Sequence, residues 1–588
     1  MGVALFGSNR LMKVRISGFA RGGLLLLLLL ASPWMLRGQG AAARRAHNDA
    51  REPVYQVGVG PLQQVLSLVR NYYVDEVNVD SLYAAAREKM AVKDSLAADS
   101  VQPLSEEEVF IRKLLEQLDP HSYYLTKEEA ADRHQDFEGK FYGIGVSFQV
   151  FKDTVRVVQV LPNGPASKVG IRTGDYIMEV NGRRLSGVKA KSSDVMHTIR
   201  GDKGTTVKAY VLREGKRLDF IMKRDELPLR TVDSYYMLTP KIGYLHCSSF
   251  GFVTRGEIVK ALGELKRAGM ESLIFDLSDN GGGVMNSAIA VCSDFLLRGQ
   301  SIVSVRGESY PSTGFSSPHM GVYCQLPLVV VVNEFSSSAS EIMAGAMQDW
   351  DRAVLVGART FGKGLVQGVF PLENGGELSL TVARYYTPSG RSIQMPYELG
   401  HAKEYREAFV RRYVAGRQDS TDDKYFAHAK EYRTLTSGRK VYGGGGIVPD
   451  VYVERDTTHA LSTRLADYER KGYMQHWVVG FVDARRKDYL KRYATAAQFV
   501  QNYTVEESTI GQFRKAMAEL DGQRDTVPYS EEEKAHLRLR IKAYVGEQLH
   551  PNGTFMRVVN GEREEIVRSV EILEDWQNRG ESILRPKR

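Results

Sequence analysis

An apolar run at residues 328–332 leads through Asn333-Glu334-Phe335 to Ser336, Ser337, Ser338 and Ser340, and then to Glu341-Ile342-Met343-Ala344. This reads as a buried strand turning into a helix, with hydroxyls at the helix N-terminus, where unpaired N–H groups stabilise negative charge. A serine becomes a useful nucleophile only when a neighbouring base takes its proton. Residue types alone do not choose among these serines. Ser338-Ala339-Ser340-Glu341 also fits a capping box, whose work is only to start a helix.

The candidate base is Lys363, 25 residues beyond Ser338. Gly362 and Gly364 let other backbone come close, and Phe361, Leu365 and Val366 make the surroundings apolar. Desolvation disfavours an ammonium and lowers its pKa, as a lysine base requires. Gly357 and Gly362-Lys363 also have the spacing of a phosphate-binding loop. Gly364, however, stands where that loop needs Ser or Thr to hold a metal. A third element, Asp276-Leu277-Ser278-Asp279-Asn280-Gly281-Gly282-Gly283, sets three glycines between a strand and a helix, where bare N–H groups can form an oxyanion hole.

These three elements fall in one region of alternating strands and helices, 241–395. Short apolar runs at 242–245, 272–276, 328–332 and 354–356 read as strands buried on both faces, and helices are expected at 255–268, 284–297 and 340–349. Before it, residues 59–129 carry helical periodicity that ends at Asp119-Pro120. Residues 137–225 are a compact β module, with strands expected at 141–151, 155–160, 176–180, 206–213 and 218–222 and a helix at 192–199. Residues 396–440 are charged and read as a surface insertion. An apolar strand at 447–453 follows Gly443-Gly444-Gly445-Gly446, and 456–588 is charged and helical, without a chemical motif.

Bulk properties narrow the class. A chain of 588 residues exceeds one compact core, and 43% hydrophobic with 26% charged residues describes an ordinary soluble protein. Five of the eight net positive charges are Arg10, Lys13, Arg15, Arg21 and Arg37, in a segment without acids; the remaining +3 is too weak to argue for nucleic acid. The same segment has an apolar stretch at 22–36 with seven consecutive leucines, then mainly small residues. It reads as a secretory signal over residues 1–40, with an uncleaved anchor as the lesser alternative. Cys247, Cys292 and Cys324 are too few for a disulfide framework.

In these motifs the chain resembles the C-terminal processing peptidases, the tail-specific serine proteases. The resemblance rests on Leu118-Asp119-Pro120-His121-Ser122, Gly143-Ile144-Gly145-Val146, Gly164-Pro165-Ala166, Asp279-Asn280-Gly281-Gly282-Gly283, Ser338-Ala339-Ser340-Glu341, Phe361-Gly362-Lys363-Gly364, Tyr386-Thr387-Pro388-Ser389-Gly390 and Gly446-Ile447-Val448-Pro449-Asp450, in family order. Gly281 stands where the family commonly has proline. With the resemblance, which runs from about 60 to 455, the chain reads as α+β multidomain: a helical N-terminal domain at 55–135, a PDZ-like β module at 137–225 and an α/β crotonase-like protease core at 226–455, interrupted by the insertion 396–440; the helical C-terminal extension at 456–588 is read from its residues alone and lies outside the resemblance. The resemblance selects Ser338 as nucleophile and Lys363 as base, and gives Gln367 the orienting of the lysine. The oxyanion donors fall to Gly282 or Gly283 and to Ala339. Gly143, Ile144, Gly145 and Val146 would hold a terminal carboxylate while the peptide adds as a strand. Expected partners are proteins or peptides with free C-termini in the periplasm or cell envelope, with no cofactor, metal or nucleic acid; a homo-oligomer or an adaptor protein is left open.

Two rivals remain. One is a secreted PDZ scaffold without catalysis, which predicts a lost serine or lysine. The other is a Ser/His/Asp hydrolase using His246, although a lone histidine in an apolar strand is more often core. None of the 12 histidines forms the H-E-x-x-H of a metalloprotease.

Overall fold

The apolar runs of the α/β region lie side by side. In the computed structural model, which describes residues 60–90, 104–188, 190–415, 429–454, 462–521, 528–551 and 553–585, they form a six-stranded sheet. Ile242–Cys247, Ser272–Asp276, Leu328–Val332, Val354–Gly357 and Val451–Tyr452 run parallel in that order. Val232–Met237 adds antiparallel beside Ile242–Cys247.

Successive side chains of a strand leave on opposite faces. Leu273, Phe275, Leu328, Val330 and Val332 enter one core with the helices Thr254–Arg267, Met285–Ser293 and Ala339–Asp349. Ile274, Val329, Val331, Val354 and Val356 enter another with Ile566, Ile572, Leu573 and Leu584. Runs of consecutive apolar residues require two such covers. The second comes from the far C-terminal helices Glu564–Glu574 and Glu581–Leu584.

A second, antiparallel sheet orders Tyr123–Leu125, Glu377–Tyr386, Ser301–Arg306 and Thr313–Ser316, with Leu365–Pro371 also paired to Glu377–Tyr386. The helices Pro61–Tyr72, Val79–Met90 and Glu106–Leu115 pack on it. Val65, Leu68, Leu114 and Leu118 share one core with Leu378 and Leu380, so the N-terminal helices and the α/β region are a single hydrophobic unit.

The β module has its own core and the strand order Val146–Phe151, Thr154–Val160, Tyr176–Val180, Thr206–Arg213, Lys216–Lys223, with the helix Ser192–Ile199 beside it. The single strand expected at 141–151 is two strands. Lys140–Gly143 pairs with Asp225–Pro228, and after the Ile144-Gly145 turn Val146–Phe151 pairs with Thr154–Val160. The C-terminal helices from Thr463–Arg470 to Glu531–Leu549 build a separate core that takes in Phe151 of the β module. Two further expectations differ in detail: of 447–453 only Val451–Tyr452 is a strand, and the insertion carries the helix Ala402–Ala415, on which Tyr405 is buried. The signal-like segment 1–40 lies outside the described residues. Among the described residues no helix is long and apolar enough to cross a membrane.

One ion pair fastens the far C-terminal helices to the site strands. Arg563 Nη1 donates to Asp276 Oδ2 at 2.7 Å and Nη2 to Ser278 Oγ at 3.0 Å, while the Tyr244 hydroxyl donates to the same Asp276 oxygen at 2.7 Å. Burial alone would raise the Asp276 carboxyl. Arg563 and His246, with hydrogen bonds from Tyr244 and Ser278, hold it well below the carboxylate range. Its stabilising contribution is therefore present above about pH 3.9 and lost as pH falls below it. Arg563→Ala strands a buried carboxylate and is expected to lower stability by about 3–5 kcal/mol in chemical denaturation. The Asp276→Asn/Arg563→Met pair should recover much of that loss, and an unchanged midpoint for Arg563→Ala would show the pair to be dispensable.

Candidate active site

Ser338 joins the strand Leu328–Val332 to the helix Ala339–Asp349 at φ +55° and ψ −114°. A non-glycine residue rarely holds such a backbone, which costs about 1–3 kcal/mol and persists only where neighbours enforce it. The Ser338 side chain makes no capping hydrogen bond to its helix. The enforcing group is the fully buried Glu341.

Glu341 Oε2 accepts the Ser338 and Lys363 N–H groups, each at 2.8 Å. Oε1 accepts the Gly362 N–H at 2.7 Å and the Thr360 hydroxyl at 2.6 Å. The Tyr385 hydroxyl adds a second link, lying 3.1 Å from the Ser338 carbonyl and 2.8 Å from that of Lys363. The Phe361 N–H donates to the Ser336 carbonyl at 3.0 Å. The serine turn and the lysine loop are thus joined through backbone groups of both. This also answers the phosphate-loop alternative, because the Gly362 and Lys363 amides that would meet a phosphate already bind a carboxylate. Gly362, at φ +95°, passes so close under the 443–446 turn that a Cβ would sit 3.0 Å from Gly445 and Gly446 backbone atoms.

Burial pushes the Lys363 ammonium below the ordinary lysine value, opposed by Tyr123, Asp119 and Glu341. Asp119 and Tyr123 arrive with the segment that begins Leu118-Asp119-Pro120-His121-Ser122. Burial and the Lys363 charge push the His121 imidazole in the same segment down to about 3. Gln367 Nε2 donates to Thr381 Oγ1 at 3.3 Å, and that hydroxyl donates to Asp119 Oδ1 at 2.9 Å. Gln367 therefore meets the lysine's surroundings through Thr381 and Asp119, without a direct hydrogen bond to Lys363 among the described residues.

The glycine turn lies against the serine. A Cβ on Gly282, at φ +96°, would come within 2.7 Å of the Ser338 Cβ and 3.0 Å of the Ala339 nitrogen. The Gly282 N–H is taken by Asn280 Oδ1 at 2.9 Å. The Gly283 and Ala339 N–H groups donate to nothing among the described residues. His246 is not placed as a base: its ring nitrogens face Asp233 Oδ1 at 2.6 Å and the Ser278 carbonyl at 3.1 Å. Burial alone would lower its pKa, but the Asp233 hydrogen bond and the Asp276 charge lift it to about 9, so it is charged at neutral pH.

The residues singled out in the β module sit apart from this cluster, at the start of the strand Val146–Phe151. The Ile144 carbonyl accepts the Ala166 N–H at 2.8 Å and the Gly145 carbonyl accepts the Leu161 N–H at 2.9 Å, which shapes the Gly143-Ile144-Gly145-Val146 turn.

Sequence reasoning missed three contributors. Glu341 was legible only as the end of a capping box. Tyr385 lies in an unremarkable strand. The insertion helix Ala402–Ala415 packs directly on the lysine loop: Phe409 lies 4.8 Å from the Phe361 ring and 5.8 Å from that of Phe335, and Arg412 Nη2 donates to the Thr360 and Phe361 carbonyls at 2.9 and 3.0 Å. The alternation of Tyr405, Phe409 and Arg412 at helical spacing was the available signal.

With this geometry in hand, comparison with known proteins finds two matching segments: residues 241–398 match the model of peptidase family S41 and residues 143–223 match the PDZ domain. Residues 465–551 match a family of unknown function, DUF8443. The chain is 35% identical over 291 residues to the carboxy-terminal-processing protease of Bartonella bacilliformis, covering 48% of this chain and 66% of that protein. It is 32% identical over 276 residues to a probable CtpA-like serine protease of Staphylococcus aureus, covering 47% and 55%. The chain thus spans less than two thirds of the length of these relatives. Against the solved photosystem II D1 C-terminal processing protease it is 27% identical over 57% of this chain and 89% of that one, with a TM-score of 0.34.

Burial pushes the Glu341 carboxyl up to about 7, against the donors from Thr360, Lys363, Gly362 and Ser338 that pull it down. A carboxyl raised in the folded state contributes stability that is full below about pH 4.3 and lost as pH rises through about 7. Glu341→Gln turns an NH₂ group toward N–H donors and should cost about 1–3 kcal/mol while flattening that pH dependence. Thermal melts from pH 4 to 8 check both; a variant as stable as the parent with the same slope would refute the role given to Glu341.

Proposed function

We propose that this chain is a serine endopeptidase that cleaves proteins near their C-termini, with Ser338 as nucleophile and Lys363 as general base. The observation that carries the proposal is the double link of Ser338 and Lys363 through Glu341 and Tyr385, with burial disfavouring the lysine's charge. Neutral Lys363 takes the Ser338 proton, Ser338 attacks the peptide carbonyl, and the Gly283 and Ala339 N–H groups receive the developing oxyanion. The intermediate then collapses, the Lys363 ammonium giving its proton to the departing amine as the C–N bond breaks; the amine, neutral again, deprotonates the water that attacks the acyl-enzyme and returns that proton to the Ser338 oxygen as the acid leaves. Glu341 holds both backbones, and Gln367 steadies the side of the pocket that contains Asp119.

The division of labour follows the segments: 137–225 holds a substrate's terminal carboxylate at Gly143-Ile144-Gly145-Val146, and 226–455 cleaves. The match of residues 241–398 to peptidase family S41 and of 143–223 to the PDZ domain supports this reading. The basic, then leucine-rich N-terminus supports export to the cell envelope.

Purified protein should cleave an unstructured C-terminal tail, and Ser338→Ala and Lys363→Ala should each lower kcat/KM about a thousandfold or more while tail binding persists. Cleavage by both variants would refute the dyad. The neutral amine grows with pH, so kcat/KM should rise with pH with its midpoint below the ordinary lysine value of about 10.4. A rising limb centred near about 6.5 would point to a histidine base instead.

A further inference from the structure

Lys363 sits in a loop with little stiffness of its own. Gly362 and Gly364 flank it, and glycine admits more backbone conformations than any other residue. The seat of the lysine is therefore set by what holds residues 360–364 from outside, and each polar backbone group there can be traced. The Gly362 and Lys363 N–H groups go to Glu341, that of Phe361 to the Ser336 carbonyl and that of Thr360 to the Ile447 carbonyl. The Gly364 N–H goes to Gln394 Oε1 at 2.8 Å. Among the carbonyls, Gly362 accepts from the Met395 N–H, Gly364 from the Tyr385 N–H and Lys363 from the Tyr385 hydroxyl. The two at the head of the loop, Thr360 and Phe361, both accept from Arg412 Nη2.

Arg412 comes from the insertion helix Ala402–Ala415. Its Nη1 reaches the Gly445 carbonyl at 3.2 Å, so one planar cation ties the head of the lysine loop to the 443–446 turn. The guanidinium carbon lies 5.3 Å from the centre of the Phe409 ring, which itself packs on Phe361. Farther back on the helix, the Tyr405 hydroxyl lies 3.2 Å from His121 Nε2 and 3.5 Å from Gln394 Nε2, the amide whose oxygen holds the Gly364 N–H. Tyr405, Phe409 and Arg412 share one face by helical spacing, and that face reaches both ends of the lysine loop. Arg406, Glu407, Val410 and Arg411 are exposed.

Packing alone needs only the rings. A guanidinium turned inward onto main-chain carbonyls costs desolvation, which its charge-assisted hydrogen bonds offset, and those bonds fix direction as well as distance. The carbonyls it holds belong to the two residues immediately before Gly362-Lys363. Without those bonds the Thr360 and Phe361 carbonyls lose donors they now have, and the loop can move to regain partners.

We propose that Arg412 is a positioning residue for the Lys363 base, acting from the insertion helix through the carbonyls of Thr360 and Phe361 to keep the amine in its seat beside the serine turn. This rests on the reading of Lys363 as the general base. Arg412 lies outside residues 241–398, the segment that matches peptidase family S41, so the insertion supplies a part of the apparatus that the matched core does not contain.

The test is steady-state cleavage of an unstructured C-terminal tail across pH by the full-length protein, with Arg412→Ala, Arg412→Met and Lys363→Ala beside the parent. Circular dichroism checks the fold of each. Arg412→Ala is expected to lower kcat about a hundredfold with KM unchanged, the loss that a misplacement of about 1 Å can cause. Asp119, Tyr123, Glu341 and His121 act on the Lys363 charge, and all are kept in the variants. A loosened loop admits water to the amine, so the rising limb of kcat/KM should move up by about one pH unit. Arg412→Met keeps an apolar stem on Phe409 without the donors and should behave in the same way, which decides the matter if Arg412→Ala does not fold. A folded variant as active as the parent overturns the proposal. So does a loss carried by KM alone, or a lower kcat with the limb unmoved, since a purely structural role gives these. If Lys363→Ala cleaves as well as the parent, the reading of Lys363 as base fails and the role of Arg412 fails with it. If Lys363→Ala is inactive while the Arg412 variants match the parent, only the role of Arg412 fails.

Discussion

A single buried carboxylate organises the site. Glu341 takes four donors from two stretches of chain: Ser338 in the serine turn, and Thr360, Gly362 and Lys363 in the lysine loop. Each of these donors favours the ionised carboxyl that burial disfavours, and in a dry interior an unmet donor is costly. Ser338 can therefore be held in a backbone conformation that serine alone would avoid. The same carboxylate contributes to the field around the lysine, where burial favours the neutral amine and nearby acids oppose it.

Around that centre the molecule is built by long-range agreement between segments that look independent. The antiparallel sheet is covered by N-terminal helices, which also carry Asp119, His121 and Tyr123 to the lysine. The parallel sheet is covered on its far face by C-terminal helices, which send Arg563 to the root of the glycine turn. The insertion helix closes the remaining side of the lysine loop with Phe409 and Arg412. Each addition meets a requirement of the core: a second cover for a two-faced strand, a counter-charge for Asp276, acceptors and rings for an otherwise open loop.

What could be read from the chain itself follows from this. Strands such as 272–276 and 328–332, and helices such as 192–199, were legible because their residue patterns have one physical solution. The serine, lysine and glycine elements were legible as chemistry because hydroxyl, amine and bare amides carry it whatever surrounds them. Glu341 was not, since a Glu three residues after Ser reads as a helix cap until Lys363 is seen beside it. The insertion was read as surface because its charged residues outnumber Tyr405 and Phe409, whose partners Phe361 and Phe335 lie far back in the sequence. Arg563 was one arginine among many, and Asp276 gave no hint of needing it. Pairings across long separations leave no local pattern to find.

The Arg563–Asp276 pair has a consequence for how the protein comes into being. Its partners are 287 residues apart, and the outer face of the parallel sheet stays bare until the later one arrives. During synthesis the strand Ser272–Asp276 and the turn after it emerge well before their counter-charge. The nascent chain therefore carries all three chemical elements long before it can hold the turn rigid. Closing so large a loop is slow compared with forming any helix in it. A site arranged this way is completed only after the last helices of its own chain have been made.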